Sequence, residues 1–375
     1  MGPVPLERID LRNANADDRR AALRRAGEAL RAGGLVIGPT ETVYGLFASA
    51  LHGSAVEAAR RLAGVPAGAA LTWHSPDVDD AMQRLALTDA VHVRLMTRLL
   101  PGPVTFAIER APADLARLRD GLGVGPGVID DGEVVSLRAP SDEACRGLLR
   151  EAGGAVVGAG APSRGAPIEA PGDADLSDDA RREVAILLDG GPTMWRRGST
   201  HVRLLRGGGY RVTHEGALES RRVERAMSRM ILFVCSGNTC RSPMAEAIAR
   251  DLLAKRPAGV VQTRAVSAGV GAFPGMPATD EAVAALHGLG VEPGRHSSRP
   301  LTRELLNEAE VIYAMTPAHL AAILSMDPST QGRAFLLDPE GRDISDPLGM
   351  SQDAYNQTAA RIRASILRRL DELGA

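Results

Sequence analysis

A cysteine and an arginine stand six positions apart in the segment LFVCSGNTCRSPMAEA, which covers residues 232–247. An apolar run ends at Cys235, and small polar residues fill the chain up to Arg241. The backbone N–H groups of such a loop can turn inward to form an anion site, and a helix that follows would point its positive end at the same place. The guanidinium of Arg241 could then hold two oxygens of one phosphate. The segment therefore predicts a phosphate-binding loop.

The chemistry expected in this loop is nucleophilic attack by sulfur. A site that holds a phosphate also favours a thiolate, so we expect a lowered pKa and an ionised Cys235 at neutral pH. A thiolate beside a bound phosphoryl group can attack phosphorus and form a covalent intermediate. The competing interpretation is a buried apolar cysteine that ends a strand, and the Gly, Asn, Arg, Ser and Pro residues around it argue against that.

Three residues of the segment have expected local roles. Gly237 should ease the unusual backbone dihedral angles that an anion nest requires. Ser242 should cap the helix that follows, and Pro243 suits the first position of that helix.

Attack at phosphorus also needs an acid for the leaving group and then a base for water. An aspartate precedes a proline at three positions in this half of the chain: Asp327, Asp338 and Asp346. We choose Asp346 as the general acid because it precedes the last predicted helix, on the loop face of the sheet. Asp338 directly follows a predicted strand, which favours a structural role.

The elements that must position these residues alternate along the second half of the chain. Apolar strands are predicted at 230–234, 263–268, 310–315 and near 334–337. Helices are predicted at 242–255, 279–289, 317–325 and from about 352 to 373. This order predicts a doubly wound parallel sheet with helices on both faces, and with the phosphate loop where the first strand ends.

Residues 230–375 resemble the low-molecular-weight phosphotyrosine phosphatase family over their whole length. The matching stretches are FVCSGNTCRSPMAEA, VSAGV, HSSRPLT, VIYAMT and DPLGMSQDAYNQT. The resemblance implies that Cys235 is the nucleophile, Arg241 the phosphate clamp and Asp346 the general acid. It also implies the family's fold and a reaction that needs no metal or cofactor.

The resemblance assigns the rest of the loop as well. It implies that Asn238, Ser242 and Ser267 hold the loop through hydrogen bonds. Cys240 resembles the family's second cysteine, which can trap an oxidised nucleophile as a reversible disulfide; a small packing residue is the alternative. The phosphate loop and its support thus comprise Ser236, Gly237, Asn238, Thr239, Cys240, Ser242 and Ser267.

Two residues, Thr239 and the Leu348 that follows Asp-Pro, indicate which phosphorylated side chain is the substrate. Family members that act on phosphotyrosine commonly carry a bulkier aliphatic residue at the first position and tyrosines after Asp-Pro. The pair found here resembles the bacterial protein-arginine phosphatase branch, and without aromatic walls a phenyl ring would lack stacking partners. We expect a phosphorylated protein substrate, with phosphoarginine favoured over phosphotyrosine. An ordinary role for Thr239 within the loop stays open, as does a phosphopeptide-binding module without catalysis.

The first half of the chain carries a second dense motif, GPTETVYGL, at residues 38–46. The stretches PGPVTFAI, VVSLRAP and LLDGGP…GSTHV accompany it. Together they resemble the YrdC-like threonylcarbamoyl-adenylate synthase family across residues 15–217. Its members make threonylcarbamoyl-adenylate from threonine, bicarbonate and ATP, with Mg²⁺, for tRNA modification. The resemblance implies a twisted α/β sheet and a substrate pocket lined by Thr40, Arg138, Ser199 and Thr200.

This half also departs from its family. The family has a basic Lys-x-Arg pair after the helix predicted from the capping box of Ser54 and Glu57. Ala63 and Val65 stand there instead, and burying a triphosphate without paired cations is costly. Arg60 and Arg164 are possible replacements. Two interpretations stay open: a divergent domain that keeps the fold and binds a ligand or steers the phosphatase, which we favour, and an active synthase with a rebuilt site.

Composition sets the remaining limits. The 375 residues suggest two domains, predicted at 1–217 and 230–375 with a helical linker at 218–229. A net charge of −2 and 3% aromatic residues do not support RNA binding. No apolar stretch is long enough for a membrane span, and an odd count of three cysteines fits a cytoplasmic protein. The eight histidines lack ligand spacing, so we expect no metal.

Overall fold

The structure is a computed structural model that describes residues 6–162, 168–169, 176–256 and 262–373. It divides into two compact units, Met1–Ala226 and Met227–Ala375. Most of the loop predicted at 162–178, including Arg164, lies outside the described residues. The segment expected to link the domains forms a short helix, Ser220–Ala226, which belongs to the first unit.

The first unit is built on one ten-stranded sheet. The strands are β1 (Glu7–Asp10), β2 (Leu35–Gly38), β3 (Gly45–Ser49), β4 (Thr72–His74), β5 (Val104–Glu109), β6 (Val134–Arg138), β7 (Val156–Gly160), β8 (Val184–Asp189), β9 (Thr200–Leu204) and β10 (Tyr210–His214). Their order across the sheet is β1-β8-β2-β3-β7-β4-β6-β5-β9-β10. Parallel and antiparallel pairs are mixed, as β2 shows by pairing parallel with β8 and antiparallel with β3. The predicted α/β architecture of this half is confirmed.

Eight helices are described in this unit: α1 (Ala16–Arg31), α2 (Gly53–Leu62), α3 (Val78–Leu85), α4 (Ala90–Leu99), α5 (Pro112–Leu122), α6 (Glu143–Ala152), α7 (Asp178–Glu183) and α8 (Ser220–Ala226). Leu30 of α1 and Leu148 of α6 are fully buried in one apolar cluster with residues of the sheet. The capping box predicted from Ser54 and Glu57 is wrong. Helix α2 begins at Gly53, so the cap position is His52, two residues before Ser54, and it has no side-chain cap; Glu57 pairs with Arg60.

The described residues of the second unit form four parallel strands: β11 (Ser228–Cys235), β12 (Gln262–Gly269), β13 (Val311–Ala314) and β14 (Ala334–Leu336). Their order is β12-β11-β13-β14. Five helices are described here: α9 (Arg241–Ala254), α10 (Asp280–Gly288), α11 (Arg303–Glu308), α12 (Pro317–Met326) and α13 (Gln352–Glu372). The predicted doubly wound parallel sheet is confirmed.

Two apolar layers cover this sheet because successive residues of a strand point to opposite faces. Phe233 of β11 lies in one layer with Ile248 of α9 and Ile362 of α13. Leu232 lies in the other with Leu306 of α11 and Ile323 of α12. The first strand, β11, pairs with β12 on one side and β13 on the other. Its carboxyl end is therefore a topological switch point, where ligands of such sheets bind.

No helix in the described part of the chain is both long and apolar enough to cross a membrane. Within the same residues, no group of three or more His, Cys, Asp or Glu side chains is arranged to hold a metal ion.

Candidate active site

The sulfur of Cys235 lies at the carboxyl end of β11 among hydrogen-bond donors. Its Sγ atom is 2.9 Å from Ser242 Oγ, and the backbone N–H groups of Ser242 and Asn238 donate toward it. Val270 N–H donates to the Cys235 carbonyl at 3.0 Å, which fixes the strand end to the neighbouring loop. The predicted cradle of inward-pointing donors is therefore present around this sulfur.

Burial nevertheless raises the pKa of the Cys235 thiol above its ordinary value, against the opposing action of the Ser242 and Asn238 donors and the Arg241 charge. The expectation of a lowered pKa is wrong for this arrangement. The residue is only 2% exposed, so its charged form would lose most of its hydration. The Arg241 charge is also shared with a carboxylate, that of Asp346.

The unusual backbone angle of the loop belongs to Asn238, which has a φ of 55°, and Gly237 has no positive φ. The prediction that Gly237 supplies this conformation is wrong. Asparagine tolerates the left-handed region better than most residues, and here its side chain is also fully used. Asn238 Nδ2 donates to Ser242 Oγ and to Ser267 Oγ, each at 2.9 Å, and its Oδ1 accepts from Arg299 N–H at 2.9 Å.

The prediction that Ser242 caps helix α9 is wrong. The helix begins earlier, at Arg241, and Cys240 takes the cap position without a side-chain hydrogen bond. Pro243 accordingly occupies the third helical position and not the first. The Ser242 hydroxyl instead contacts the Cys235 sulfur and donates to Ala268 O at 3.3 Å. The structure therefore brings Ser242 to the nucleophile, together with Asn238.

The guanidinium of Arg241 is buried at the same loop, with a side chain that is 5% exposed. Nη1 donates to Ile344 O at 3.1 Å, and Nη2 donates to Ser236 Oγ at 3.3 Å and to Asp346 Oδ2 at 2.5 Å. Its Nε atom is buried and has no hydrogen-bond partner among the described residues. Because an unpaired buried donor costs free energy, an anion that reaches Nε would stabilise this site.

The structure also separates the three Asp-Pro candidates. Asp346, 105 positions from Arg241 in the chain, is the one whose carboxylate reaches the guanidinium, and it is 43% exposed. Asp338 is buried and accepts from Arg361 Nη2 at 2.9 Å, which ties it to α13. Burial acts to raise the pKa of Asp338, but bonds from Arg361 and a backbone N–H outweigh it and lower the pKa. Asp327 accepts from Ser329 N–H in a short turn.

Thr239 and Cys240 lie side by side at the end of the loop. Thr239 is partly buried, and its Oγ1 lies 3.7 Å from Cys240 Sγ. Cys240 Sγ also lies 3.5 Å from the hydroxyl of Tyr355 on α13 and 3.7 Å from Thr279 Oγ1. All three cysteines of the chain are buried and free. The trap role of Cys240 stays a prediction.

Three residues that support the loop were given no site role in the sequence analysis: Glu246, His296 and His319. His296 has its Nε2 atom 2.7 Å from Asn238 O. Ser267 Oγ donates to Glu246 Oε2 at 2.5 Å. His319 Nε2 lies 2.9 Å from Ser236 Oγ. His319 lies in the first turn of α12, but Glu246 lies in the second turn of α9 and His296 in the loop after α10, so the sequence positions of these two provided no signal for the site.

The loop that follows β12 contacts the phosphate loop and carries an exposed aromatic residue. Phe273 is 79% exposed in the loop after β12, and Gly271 of that loop donates to Ser236 O at 3.0 Å. Leu348, after Asp-Pro, is 64% exposed. The expected absence of an aromatic residue therefore holds directly after Asp-Pro, where Leu348 stands. The expectation did not consider Phe273 in the loop after β12.

The first unit contains a separate cavity of about 430 Å³ at the centre of its sheet. Three of the four predicted pocket residues, Thr40, Arg138 and Ser199, line it. Thr200 does not. It is fully buried, and its hydroxyl donates to Leu218 O at 2.6 Å and so fixes the turn that follows β10.

The charge of this cavity is balanced among the described residues. Arg138 Nη2 donates to Glu41 Oε1 at 2.8 Å, to Thr42 Oγ1 at 2.6 Å and to Thr40 Oγ1 at 3.1 Å. Burial and Arg138 lower the pKa of His74 to about 3, so this imidazole is neutral. Burial likewise lowers the pKa of His201. The charge of Arg138 is therefore paired with Glu41, although its buried Nε atom has no hydrogen-bond partner among the described residues.

Arg60, the other candidate for a replacement cation, does not line this cavity. Its side chain is 6% exposed and pairs with Glu57. Its Nε donates to Ala69 O at 2.7 Å, and Nη2 donates to Gly127 O. The guanidinium therefore holds the loop after α2 in place.

A thiol at the end of a central parallel strand, inside a loop of inward donors with a buried arginine, defines the class of cysteine-dependent phosphatases. Residues 230–375 match the family model described as low molecular weight phosphotyrosine protein phosphatase. Residues 28–216 match the Sua5/YciO/YrdC model, described as telomere recombination. The chain thus belongs to the low-molecular-weight protein phosphatase family through its second unit and to the Sua5/YciO/YrdC family through its first.

Relatives of the second unit carry both kinds of phosphatase name. A protein-arginine-phosphatase of Bacillus subtilis is 41% identical over 144 residues, which cover 37% of this chain and 93% of the relative. A probable low-molecular-weight protein-tyrosine-phosphatase of Ralstonia solanacearum, EpsP, is 37% identical over a match that covers 37% of this chain and 92% of the relative. Among solved structures, the YwlE arginine phosphatase of Geobacillus stearothermophilus is 33% identical, with a TM-score of 0.36. The match covers 39% of this chain and 93% of that one.

Proposed function

We propose that the second unit hydrolyses a phosphorylated protein side chain through a phosphocysteine intermediate. The observation that carries this proposal is the position of Asp346, whose carboxylate lies 2.5 Å from the guanidinium of Arg241. That guanidinium belongs to the loop that begins at Cys235. This contact supports a role for Asp346 as the acid for the leaving group of a phosphate that Arg241 binds. A simple anion-binding loop has no need of such a carboxylate.

The reaction has two balanced steps. In the first, the sulfur of Cys235 forms a bond to phosphorus while the bond from phosphorus to the leaving group breaks, and Asp346 supplies a proton to that group. Over the whole step, the proton of the Cys235 thiol is transferred to the leaving group. In the second step, water attacks phosphorus, Asp346 accepts its proton, and the sulfur–phosphorus bond breaks. Inorganic phosphate leaves, and the sulfur regains a proton. Arg241 binds the phosphoryl oxygens throughout.

Phosphoarginine is the substrate that we favour for this site. Thr239 has a short β-branched side chain next to Cys240, at the position where family members that act on phosphotyrosine commonly carry a bulkier aliphatic residue. Leu348 takes the position after Asp-Pro without an aromatic ring. The carboxylate of Asp346 can also pair with the guanidinium of a departing arginine, as it pairs here with Arg241. Phosphotyrosine is the alternative, and Phe273 is the residue that favours it.

A direct comparison of two peptides tests this preference. The peptides share one sequence and carry phosphoarginine or phosphotyrosine at the same position. We expect kcat/KM to be about tenfold or more higher for phosphoarginine. We also expect Thr239→Ile to reverse or reduce that ratio, because it adds apolar bulk beside the loop. Thr263→Ile, the same change on β12, is the matched control. A wild-type preference for the tyrosine peptide would refute the assignment.

For the first unit we propose a divergent domain that keeps the family's fold and does not form threonylcarbamoyl-adenylate. The support lies in the charge of its cavity. Arg138 is committed to Glu41, and Ala63 and Val65 stand where the family has its basic pair. A triphosphate would bring about four negative charges to a cavity without an unpaired described cation, and its desolvation would be uncompensated.

Pyrophosphate release decides between this proposal and an active synthase for tRNA modification. The assay uses the full-length Cys235→Ser chain, so that phosphatase chemistry does not consume substrate or product. ATP, Mg²⁺, threonine and bicarbonate are supplied together. We expect no release above a reaction without threonine. Threonine-dependent turnover would show that the chain is bifunctional.

A further inference from the structure

His319 connects helix α12 to the phosphate loop and has no part in the mechanism described so far. It is 6% exposed. Its Nε2 atom lies 2.9 Å from Ser236 Oγ, and its Nδ1 atom lies 2.9 Å from Thr316 Oγ1. Ser236 Oγ in turn accepts a hydrogen bond from Arg241 Nη2 at 3.3 Å. A continuous polar chain therefore leads from the start of α12 to the phosphate clamp.

Counting donors and acceptors fixes the direction of these bonds. A guanidinium can only donate, so Ser236 Oγ is the acceptor toward Arg241. A neutral imidazole has one donor and one acceptor nitrogen. Thr316 can donate its hydroxyl proton to Nδ1, which leaves a proton on Nε2 for donation to Ser236 Oγ. The Ser236 hydroxyl then accepts from two donors, and its own proton is free to point toward an anion in the loop.

The surroundings favour the neutral imidazole that this arrangement needs. Burial and the charge of Arg241 on α9 lower the pKa of His319, and Asp346 and Asp343, in the segment before α13, act in the opposite direction with less effect. Thr316, which lies on the Nδ1 side of the ring, is uncharged. Its hydroxyl oxygen accepts a hydrogen bond from the His319 backbone N–H at the start of α12.

We propose that His319 is a positioning residue for phosphate binding: its Nε2–H orients the Ser236 hydroxyl so that this hydroxyl becomes a further donor to the phosphoryl group and steadies the Arg241 guanidinium. The inference rests on the proposed phosphatase function of the same loop. It makes His319 act through Ser236 and not by direct contact with substrate. Loss of the Nε2 donor should therefore weaken phosphate binding and leave the chemical step less affected.

Two replacements separate this role from simple packing. In His319→Gln, the side-chain amide can place a donor where Nε2 stands. In His319→Asn, the amide is one carbon shorter and reaches only the position of Nδ1. We expect the Asn variant to raise the dissociation constant of inorganic phosphate about tenfold, and KM for para-nitrophenyl phosphate to a similar extent, with a smaller fall in kcat. The Gln variant should stay close to the wild type.

A double-mutant cycle with Ser236→Ala completes the test. If His319 acts through Ser236, the double variant Ser236→Ala, His319→Asn binds inorganic phosphate no more weakly than Ser236→Ala alone. Effects that multiply, or equal losses in the Gln and Asn variants, would overturn the inference. Phosphate binding is measured by calorimetry on the full chain, together with thermal unfolding of each variant. A wild type that binds phosphate but turns over no substrate would instead refute the proposed phosphatase function. The binding data for the variants would then decide the inference about His319 separately.

Discussion

Replacing Cys235 by serine lowers kcat by at least about 10⁴-fold, the scale on which loss of an enzyme's covalent nucleophile acts. A serine hydroxyl has the right size for the buried position beside Ser242, but it ionises far less readily than a thiol. The loop keeps its backbone donors and Arg241, so the variant still binds inorganic phosphate. The measurement is steady-state turnover of an aryl phosphate, combined with calorimetric titration of inorganic phosphate into the variant.

The matched control is Cys145→Ser, which makes the same change at a buried free cysteine of helix α6 in the first unit. It should leave turnover unchanged. If Cys235→Ser retains wild-type turnover, the nucleophile is assigned wrongly. If the wild type binds phosphopeptides tightly and turns over none of them, the second unit is a binding module and not an enzyme.

The second large effect is expected for Asp346→Asn. The amide keeps a similar shape and can still accept from Arg241, but it cannot donate a proton to a leaving group as an acid does. General acid catalysis contributes about 10²–10⁴-fold, so kcat should fall within this range for leaving groups of high pKa. For leaving groups that depart readily without a proton, the loss should be much smaller. A series of aryl phosphates of increasing leaving-group pKa measures this dependence.

Asp343→Asn provides the control for this series, because Asp343 is an exposed carboxylate three positions away. It should leave the dependence of kcat on leaving group close to that of the wild type. An equal loss in the Asp346 variant across the whole series would contradict a role as general acid. It would point to a purely electrostatic or structural role in pairing with Arg241.

Much of the second unit was predictable because the evidence is local. Strands and helices alternate with clear apolar periods, and each bound predicted for them lies within a few residues of the structure. The spacing of Cys235 and Arg241 placed both residues in one strand-to-helix loop. The choice of Asp346 over Asp338 also agrees with the geometry, since a residue directly after a strand tends to be held by the body of the protein.

The details of the loop were less predictable because they depend on partners far away in the chain. Asn238, and not Gly237, takes the left-handed conformation, since Ser267 and the Arg299 backbone satisfy its side chain. Ser242 faces the sulfur of Cys235 because helix α9 begins one residue before it.

The sequence alone thus determined the two-unit α/β organisation, both family memberships and the loop that carries the nucleophile, because periodicity and short motifs act over a few neighbouring residues. Only the tertiary structure decided which way the Cys235 pKa moves, that His319 reaches Ser236, and that Arg138 is neutralised by Glu41. Burial, and pairing between residues about 80 to 100 positions apart, control these properties, and both exist only once the sheets have formed.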